Sequence, residues 1–220
     1  GLHLADAQGE IEGVWIASEA SGGLLLEGAA SLEASQIVLE TALGWGVRLL
    51  QRSTARVSDS ALRSSGDGSV RAEGDARLTL TRCHLEGGRN GVSARGAARI
   101  TAEGSSITRS LGAGVRCEES ASVCLTQCTV YRAGDDGVVG VDRAVLNLSG
   151  CTVAYNGGDG LAFHGDQLSA EHCIFAVNGG VGIRVDRLIA EGAAHLAYNN
   201  VWGNRSGEYL GIARPVSDLS

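Results

Sequence analysis

The sequence predicts an all-β solenoid, a parallel β-helix of about eight or nine coils of 22–23 residues, and three observations carry that expectation. The first is a column of aliphatic residues, each following Gly or, once, Ser69. Its members are Val47, Val70, Val92, Val115, Val138, Leu161 and Ile183, in steps of 23, 22, 23, 23, 23 and 22. The second is that two further columns keep the same beat, namely Leu39, Leu62, Leu85, Ile107, Val130, Val153 and Phe175, and Leu78, Ile100, Val123, Leu146 and Leu168. The third is alternation inside each unit, as in Leu78-Thr79-Leu80 and Ile183-Arg184-Val185, which is the period of a half-buried strand and not of a helix. Three columns per unit mean three short strands. A unit this small cannot bury its own apolar face and must stack on copies of itself. The framework and helical segment of a leucine-rich repeat are missing, and a propeller repeat is about twice as long.

Taken in order, residues 1–30 read as an N-terminal coil or cap. Val14 to Val47 is 33 residues, a coil plus about ten, which places an insertion at Glu19–Gly28. Residues 31–205 read as the regular coils, and 206–220 as a tail leading to a further coil outside this sequence. The chain starts without Met, so it reads as a segment of a longer protein. The corners account for the 33 glycines. Asn90-Gly91, Asp136-Gly137 and Asp159-Gly160 place Asn or Asp before Gly, residues that tolerate positive φ. At a second corner Tyr155-Asn156-Gly157-Gly158 is repeated as Val177-Asn178-Gly179-Gly180, which stacks one Asn on another.

Cys83, Cys128, Cys151 and Cys173 share one column with Ile37, Ser60 and Ser105. That column mixes apolar and small residues, so the thiols are expected to point inward as a ladder of small hydrophobes. Tetrahedral zinc ligation needs a cluster, which a linear ladder does not supply. Cys117 falls on the inward side of its strand and Cys124 on the outward side of the next, a poor geometry for a bridge.

Composition narrows the partners. A net charge of −7 argues against nucleic acid or an anionic membrane, and no run of about 18 apolar residues is present to span a bilayer. All 18 basic residues are Arg.

The unit of strand, Cys-Thr-Val, Asn-Gly-Gly, Asp-Gly and strand resembles the right-handed parallel β-helix repeat of the pectate-lyase-like superfamily, over roughly residues 30–205. The resemblance is sharpest from Cys151 to Leu161 and from Asn199 to Asn204. It implies an exported chain, extracellular or at the cell surface, of the bacterial repeat type. It leaves function broad, since the superfamily holds polysaccharide lyases, glycoside hydrolases, epimerases, adhesins and structural rods.

Two outward sites follow from the pattern. The residue after the inward Val column reads Trp15, Arg48, Arg71, Ser93, Arg116, Val139, Ala162 and Arg184. Its four Arg form a row suited to an acidic polysaccharide, or a solvated face neutralised by nearby acids. Asp136 and Asp159 lie 23 residues apart, one coil, with Asp135 beside them. Stacked carboxylates suit Ca²⁺, a catalytic acid pair, or ordinary corner structure. The Gly-His-Gly and Arg-x-Lys signatures of the superfamily's enzymes are missing. A weaker acidic group, Glu118, Glu119 and Asp142, sits at the next corner near Arg143, and Arg116 and Arg132 are the Arg nearest in sequence to these acids. The five His share no column. Aromatic content is 4%, with Trp15 and Tyr131 expected outward and Phe175 and Trp202 inward. Two readings from different classes remain: a non-catalytic exported module, adhesin-like or glycan-binding, and a polysaccharide lyase, hydrolase or epimerase.

Overall fold

A computed structural model describes residues 1–18, 22–64, 66–185 and 192–212. Strands fall into three parallel sheets in strict rotation. The first holds ten strands, from Leu2–Ala5 to Tyr209–Leu210; the second nine, from Gln8–Glu12 to Ala194–Ala197; the third nine, from Trp15–Ser18 to Asn200–Trp202. No helix occurs among the described residues. Each strand bonds to its equivalent one coil away, so register and repeat are the same thing: Val47 faces Val70, Val92 faces Val115, and Leu161 faces Ile183. About nine turns stack in this way.

The three apolar columns meet inside. Leu62, Leu85, Val130, Val153 and Phe175 are fully buried, and each such side chain contributes about 1.5–3 kcal/mol relative to exposure. Volume is balanced between coils. Phe163 lies opposite Gly140, where a Cβ would meet its ring at 2.8 Å, so the glycine makes the space that the aromatic fills.

The corners are of two kinds, and neither rests on left-handed Asn/Asp-Gly steps. Left-handed residues form three columns, one per corner: Gln36, Asp59, Arg82, Gly104, Gln127, Gly150 and His172; Asp6, Gly28, Gln51, Gly74, Gly96, Glu119 and Asp142; and Gly87, Arg109, Arg132, Tyr155 and Val177. Most are not glycine. Each is held by the ladder itself, as when Asp59 N–H donates to Thr81 O at 3.0 Å and Gln127 N–H to Ser149 O at 2.8 Å. The Asn/Asp-Gly steps, in contrast, have no positive φ. Gly114 and Gly137 are required for room, because a Cβ there would lie 2.4 Å from Val130 Cγ1 and Val153 Cγ1. The expectation of left-handed Asp-Gly corners is therefore corrected: close approach, not dihedral freedom, selects those glycines.

The N-terminal reading is corrected too. Leu2 faces Leu24 and Leu24 faces Val47, while Ile16 faces Leu39, so the described strands from Leu2 to Leu49 already keep the 22–23-residue beat. Val14 belongs not to the Val47 column but to that of Ile37 and Cys83, since Trp15 faces Val38; it follows Gly13, a left-handed corner at φ 63°. Of the expected insertion, residues 19–21 lie outside the described residues, and Leu24–Glu27 is a regular strand of the first sheet. At the other end Tyr209–Leu210 adds the tenth strand, and residues 213–220 lie outside the described residues.

The cysteine column is as expected. Cys83, Cys128, Cys151 and Cys173 are buried, and all six thiols are free. Each ladder thiol donates to a backbone carbonyl, Cys128 Sγ to Ala102 O and Cys151 Sγ to Leu125 O, both at 3.3 Å. The Asn column is also present and one member longer. Asn156 Nδ2 donates to Asn178 Oδ1 at 3.0 Å and Asn178 Nδ2 to Asn204 Oδ1 at 2.9 Å.

Candidate functional site: the outer face of the first sheet and its acidic corner

The outward row of the first sheet runs His3, Leu25, Arg48, Arg71, Ser93, Arg116, Val139, Ala162, Arg184 and Leu210. The four expected Arg are in it. Trp15 is not: it lies on the third sheet opposite Val38, because Gly13-Val14 is a left-handed corner leading into that sheet and not the Gly-aliphatic step of the first. Each Arg of the row meets a carboxylate. Arg48 donates Nε and Nη2 to Glu73 Oε1 at 3.0 and 2.8 Å, and Arg71 Nη2 donates to Glu73 Oε2 at 3.0 Å. Arg116 Nε donates to Glu118 Oε1 at 2.7 Å. At the N-terminal end a cleft of about 290 Å³ opens beside Trp45, Arg48 and Asp67, with the Arg71 guanidinium 5.4 Å from the Trp45 ring.

The acidic corner adjoins this row at its C-terminal half. Asn90, Ala113, Asp136, Asp159 and Val181 occupy equivalent positions, and the polar side chains among them lean along the helix axis onto the next coil. Asn90 Oδ1 accepts from Ala113 N–H at 3.2 Å, Asp136 Oδ1 from Asp159 N–H at 2.6 Å, and Asp159 Oδ1 from Val181 N–H at 2.6 Å. Glycine beneath makes this fit, since a Cβ at Gly158 or Gly180 would fall 2.2 or 2.1 Å from the Asp oxygen above it. Asp159 is 5% exposed and carries a fork of contacts from Arg184, Nε to Oδ2 and Nη2 to Oδ1, the latter at 3.1 Å.

Sequence proximity points to Arg116 and Arg132, whereas the guanidinium that meets Asp159 is Arg184, one coil and three residues on. Asp135 stands apart. It is exposed, and its equivalent one coil later is Gly158, not Asp159. Burial is the first cause that lifts the Asp136 carboxyl above its ordinary range, with Asp135 and Asp159 adding to it and the bond from Asp159 N–H opposing it. Among the described residues no group of three or more His, Cys, Asp or Glu is placed to hold a metal ion.

Between Arg116 and Arg184 the outward row is apolar. Val139 and Ala162 face outward yet are buried, packed with Ala113 into a small shelf beside the acidic corner. The second acidic group is likewise tied down: Glu119 N–H donates to Asp142 Oδ2 at 3.2 Å, and Arg95 Nε donates to Glu119 Oε1 at 2.6 Å. Of the His residues, His3 pairs with Glu27, His195 lies 3.4 Å from Glu171, and His172 stacks on Tyr198.

The family model of the right-handed beta helix region matches residues 22–167 and 69–211. The chain belongs to the right-handed β-helix family. Solved β-helix structures it resembles include the periplasmic alginate epimerase AlgG in a point-mutant form, with a TM-score of 0.63 at 12% identity over 100% of this chain and 74% of the epimerase. A second AlgG structure gives 0.60 at 12% identity over 89% and 60% of the two chains. The tailspike protein gp49 from Pseudomonas phage LKA1 gives 0.56 at 14% identity, over 92% of this β-helix and 44% of the tailspike. At these identities the likeness is one of fold. No curated protein matches the sequence.

Trp202, expected inward, is not in the core. It is 47% exposed and outward, opposite Ala176, because Val201 takes the inward place facing Phe175. The step from Phe175 to Val201 is 26 residues, not 22 or 23, which shifts the inward position off the expected residue.

Proposed function

We propose that this chain is a rigid, non-catalytic β-helix module that works outside the cytoplasm and binds polysaccharide through its outer faces. One observation carries the non-catalytic part: the side chains placed to do chemistry are committed to the fold. Asp136 and Asp159 each use Oδ1 to accept a backbone N–H of the next coil, and Asp159 and Arg184 neutralise one another. The Arg row is closed in ion pairs with Glu73, Glu118 and Asp159. A general acid or base needs an oxygen within reach of a substrate proton, and here Oδ1 of both Asp residues and Oδ2 of Asp159 already have donors. The fold shared with an alginate epimerase and a phage tailspike supports a polysaccharide partner. Affinity gel electrophoresis against acidic and neutral polysaccharides tests the reading. Retarded migration in at least one gel is expected, and unaltered mobility in all of them overturns it.

A second reading, an epimerase, lyase or hydrolase, is favoured by the shelf of Val139 and Ala162 lying between Arg116 and Arg184 beside the raised carboxyl of Asp136. Under that reading Asp135, Asp136 and Asp159 form the acidic centre, with Ca²⁺ between Asp136 and Asp159 as its cofactor.

A further inference from the structure

The aromatic side chains that sequence alone scattered are gathered by the fold on one face. Trp15, Trp202, Tyr155 and Tyr198 are exposed, and each lies on the third sheet or at a corner bordering it. Trp45, on the first sheet, is buried. On the outer face of the third sheet one column reads Glu40, Arg63, Glu86, Thr108, Tyr131, Ala154, Ala176 and Trp202. Its N-terminal half is a closed chain of ion pairs, Arg63 to Glu40 at 3.2 Å and Arg109 to Glu86 at 2.5 Å. Its C-terminal half carries no charge.

There Tyr131 and Trp202 stand three strands apart, about 14 Å at the usual strand spacing, with Ala154 and Ala176 between them. The two alanines face outward but are only 5% and 4% exposed, so they form the floor of a trough whose ends are aromatic rings. Thr129 and Thr152 run alongside in the neighbouring outward column and supply hydroxyls. Tyr131 is braced edge-on by Tyr155 at 5.3 Å, which fixes the ring before any ligand arrives. The Arg132 guanidinium sits 5.0 Å over the Tyr131 ring, and among the described residues it makes no ion pair, unlike the Arg of the first-sheet row.

We propose that this trough is the polysaccharide site, holding a short stretch of a carboxylated sugar chain along the helix axis between Tyr131 and Trp202. The proposal rests on the polysaccharide-binding reading above and deepens it. Pyranose C–H faces pack on the two rings, the Thr hydroxyls meet sugar hydroxyls, and Arg132 takes a carboxylate through its planar fork. The small floor is what a flat, polar ring needs; a protein partner would need a broader apolar patch than two alanines. Because the chain carries −7, its overall field repels an acidic polymer, so affinity comes from these short-range contacts and depends weakly on salt.

The test is calorimetric titration of the whole chain with uronic-acid oligosaccharides, namely oligogalacturonate, oligoguluronate and oligomannuronate, together with a carboxyl-reduced oligogalacturonate. Tyr131→Ala and Trp202→Ala are each expected to weaken binding at least tenfold, with circular dichroism unchanged because both side chains lie outside the core. Arg132→Gln is expected to reduce the affinity for the acidic chain to that for the reduced one and to leave the latter unaltered. Trp15→Ala, at the far end of the same face, serves as control with wild-type affinity. If the wild type binds and all three variants bind equally well, the trough is wrong while the binding-module reading stands. Equal wild-type affinity for acidic and reduced chains overturns the carboxylate assignment, and no binding to any oligosaccharide overturns the site and, with unaltered electrophoretic mobility, the reading beneath it.

Discussion

If Asp159 is a structural side chain, truncating it has a calculable cost. Asp159→Ala removes the acceptor of the buried Val181 N–H, a loss of about 1–3 kcal/mol for an orphaned backbone donor. It also unpairs Arg184, whose side chain is 40% exposed, so water recovers much of that interaction and only about 0.2–1 kcal/mol is added. The sum, about 1–4 kcal/mol, lowers the melting temperature by roughly 2–16 °C in a domain of this size. Asp159→Asn keeps an oxygen facing Val181 and loses only the charge, for about 1 kcal/mol and roughly 2–4 °C. Calorimetric melts of the three proteins, with and without excess calcium chloride, measure both. A structural Asp159 gives the order wild type, Asn, Ala, with calcium leaving every melt in place. The reasoning is refuted if Asn and Ala fall together and calcium raises the wild-type melt alone, since a ligated cation stabilises by mass action and needs both carboxylates.

Three further outcomes are expected. Asp136 is ionised against its burial, so its contribution is fully present below the ordinary carboxylate range and is lost as pH rises through its raised folded value; Asp136→Asn, which keeps the acceptor for Asp159 N–H, should therefore raise the melting temperature at neutral pH and leave it unchanged at acid pH, as thermal melts across pH will show. The Asn ladder stops at Ala133, whose N–H already donates to Asn156 Oδ1 at 2.9 Å, and Gly114 leaves beneath it the same opening that Gly137 leaves for Asn156 Nδ2; Ala133→Asn should extend the ladder and raise the melting temperature by roughly 2–4 °C. Burial pushes the Cys117 thiol up to about 12 and also raises Cys83, while Cys124 is half-buried on the outer face of the second sheet; a disulfide reagent at neutral pH should titrate one fast thiol in the folded protein, and Cys124→Ser should abolish it.

The fold was legible because a solenoid writes its register into the sequence. Val47, Val70 and Val92 are equivalent in the chain and adjacent in the sheet for the same reason. Misreadings arose where a local pattern imitated the repeat. Gly13-Val14 copies the Gly-aliphatic step but marks a left-handed corner, and the 26-residue step to Val201 turned Trp202 outward. The candidate site was legible as residues but not as bonds. Asp136 and Asp159 were identifiable as a pair one coil apart, yet nothing in the spacing says that each leans onto the amide of the next coil. Nor does it say that Arg184 crosses a strand to meet Asp159. The aromatic trough was hidden for a related reason: Tyr131 and Trp202 are 71 residues apart and become neighbours of one floor only when the strands of Ala154 and Ala176 stack between them.

Proton NMR of an acidic polysaccharide incubated with the wild-type chain tests the central claim most directly, because it reports binding and chemistry together. Broadened sugar resonances with no new signals over days, and an unchanged ratio of sugar isomers, are the expected result. New reducing ends, an unsaturated uronate signal or a drifting isomer ratio, abolished by Asp136→Asn or Asp159→Asn, would contradict it and establish the acidic corner as an active site.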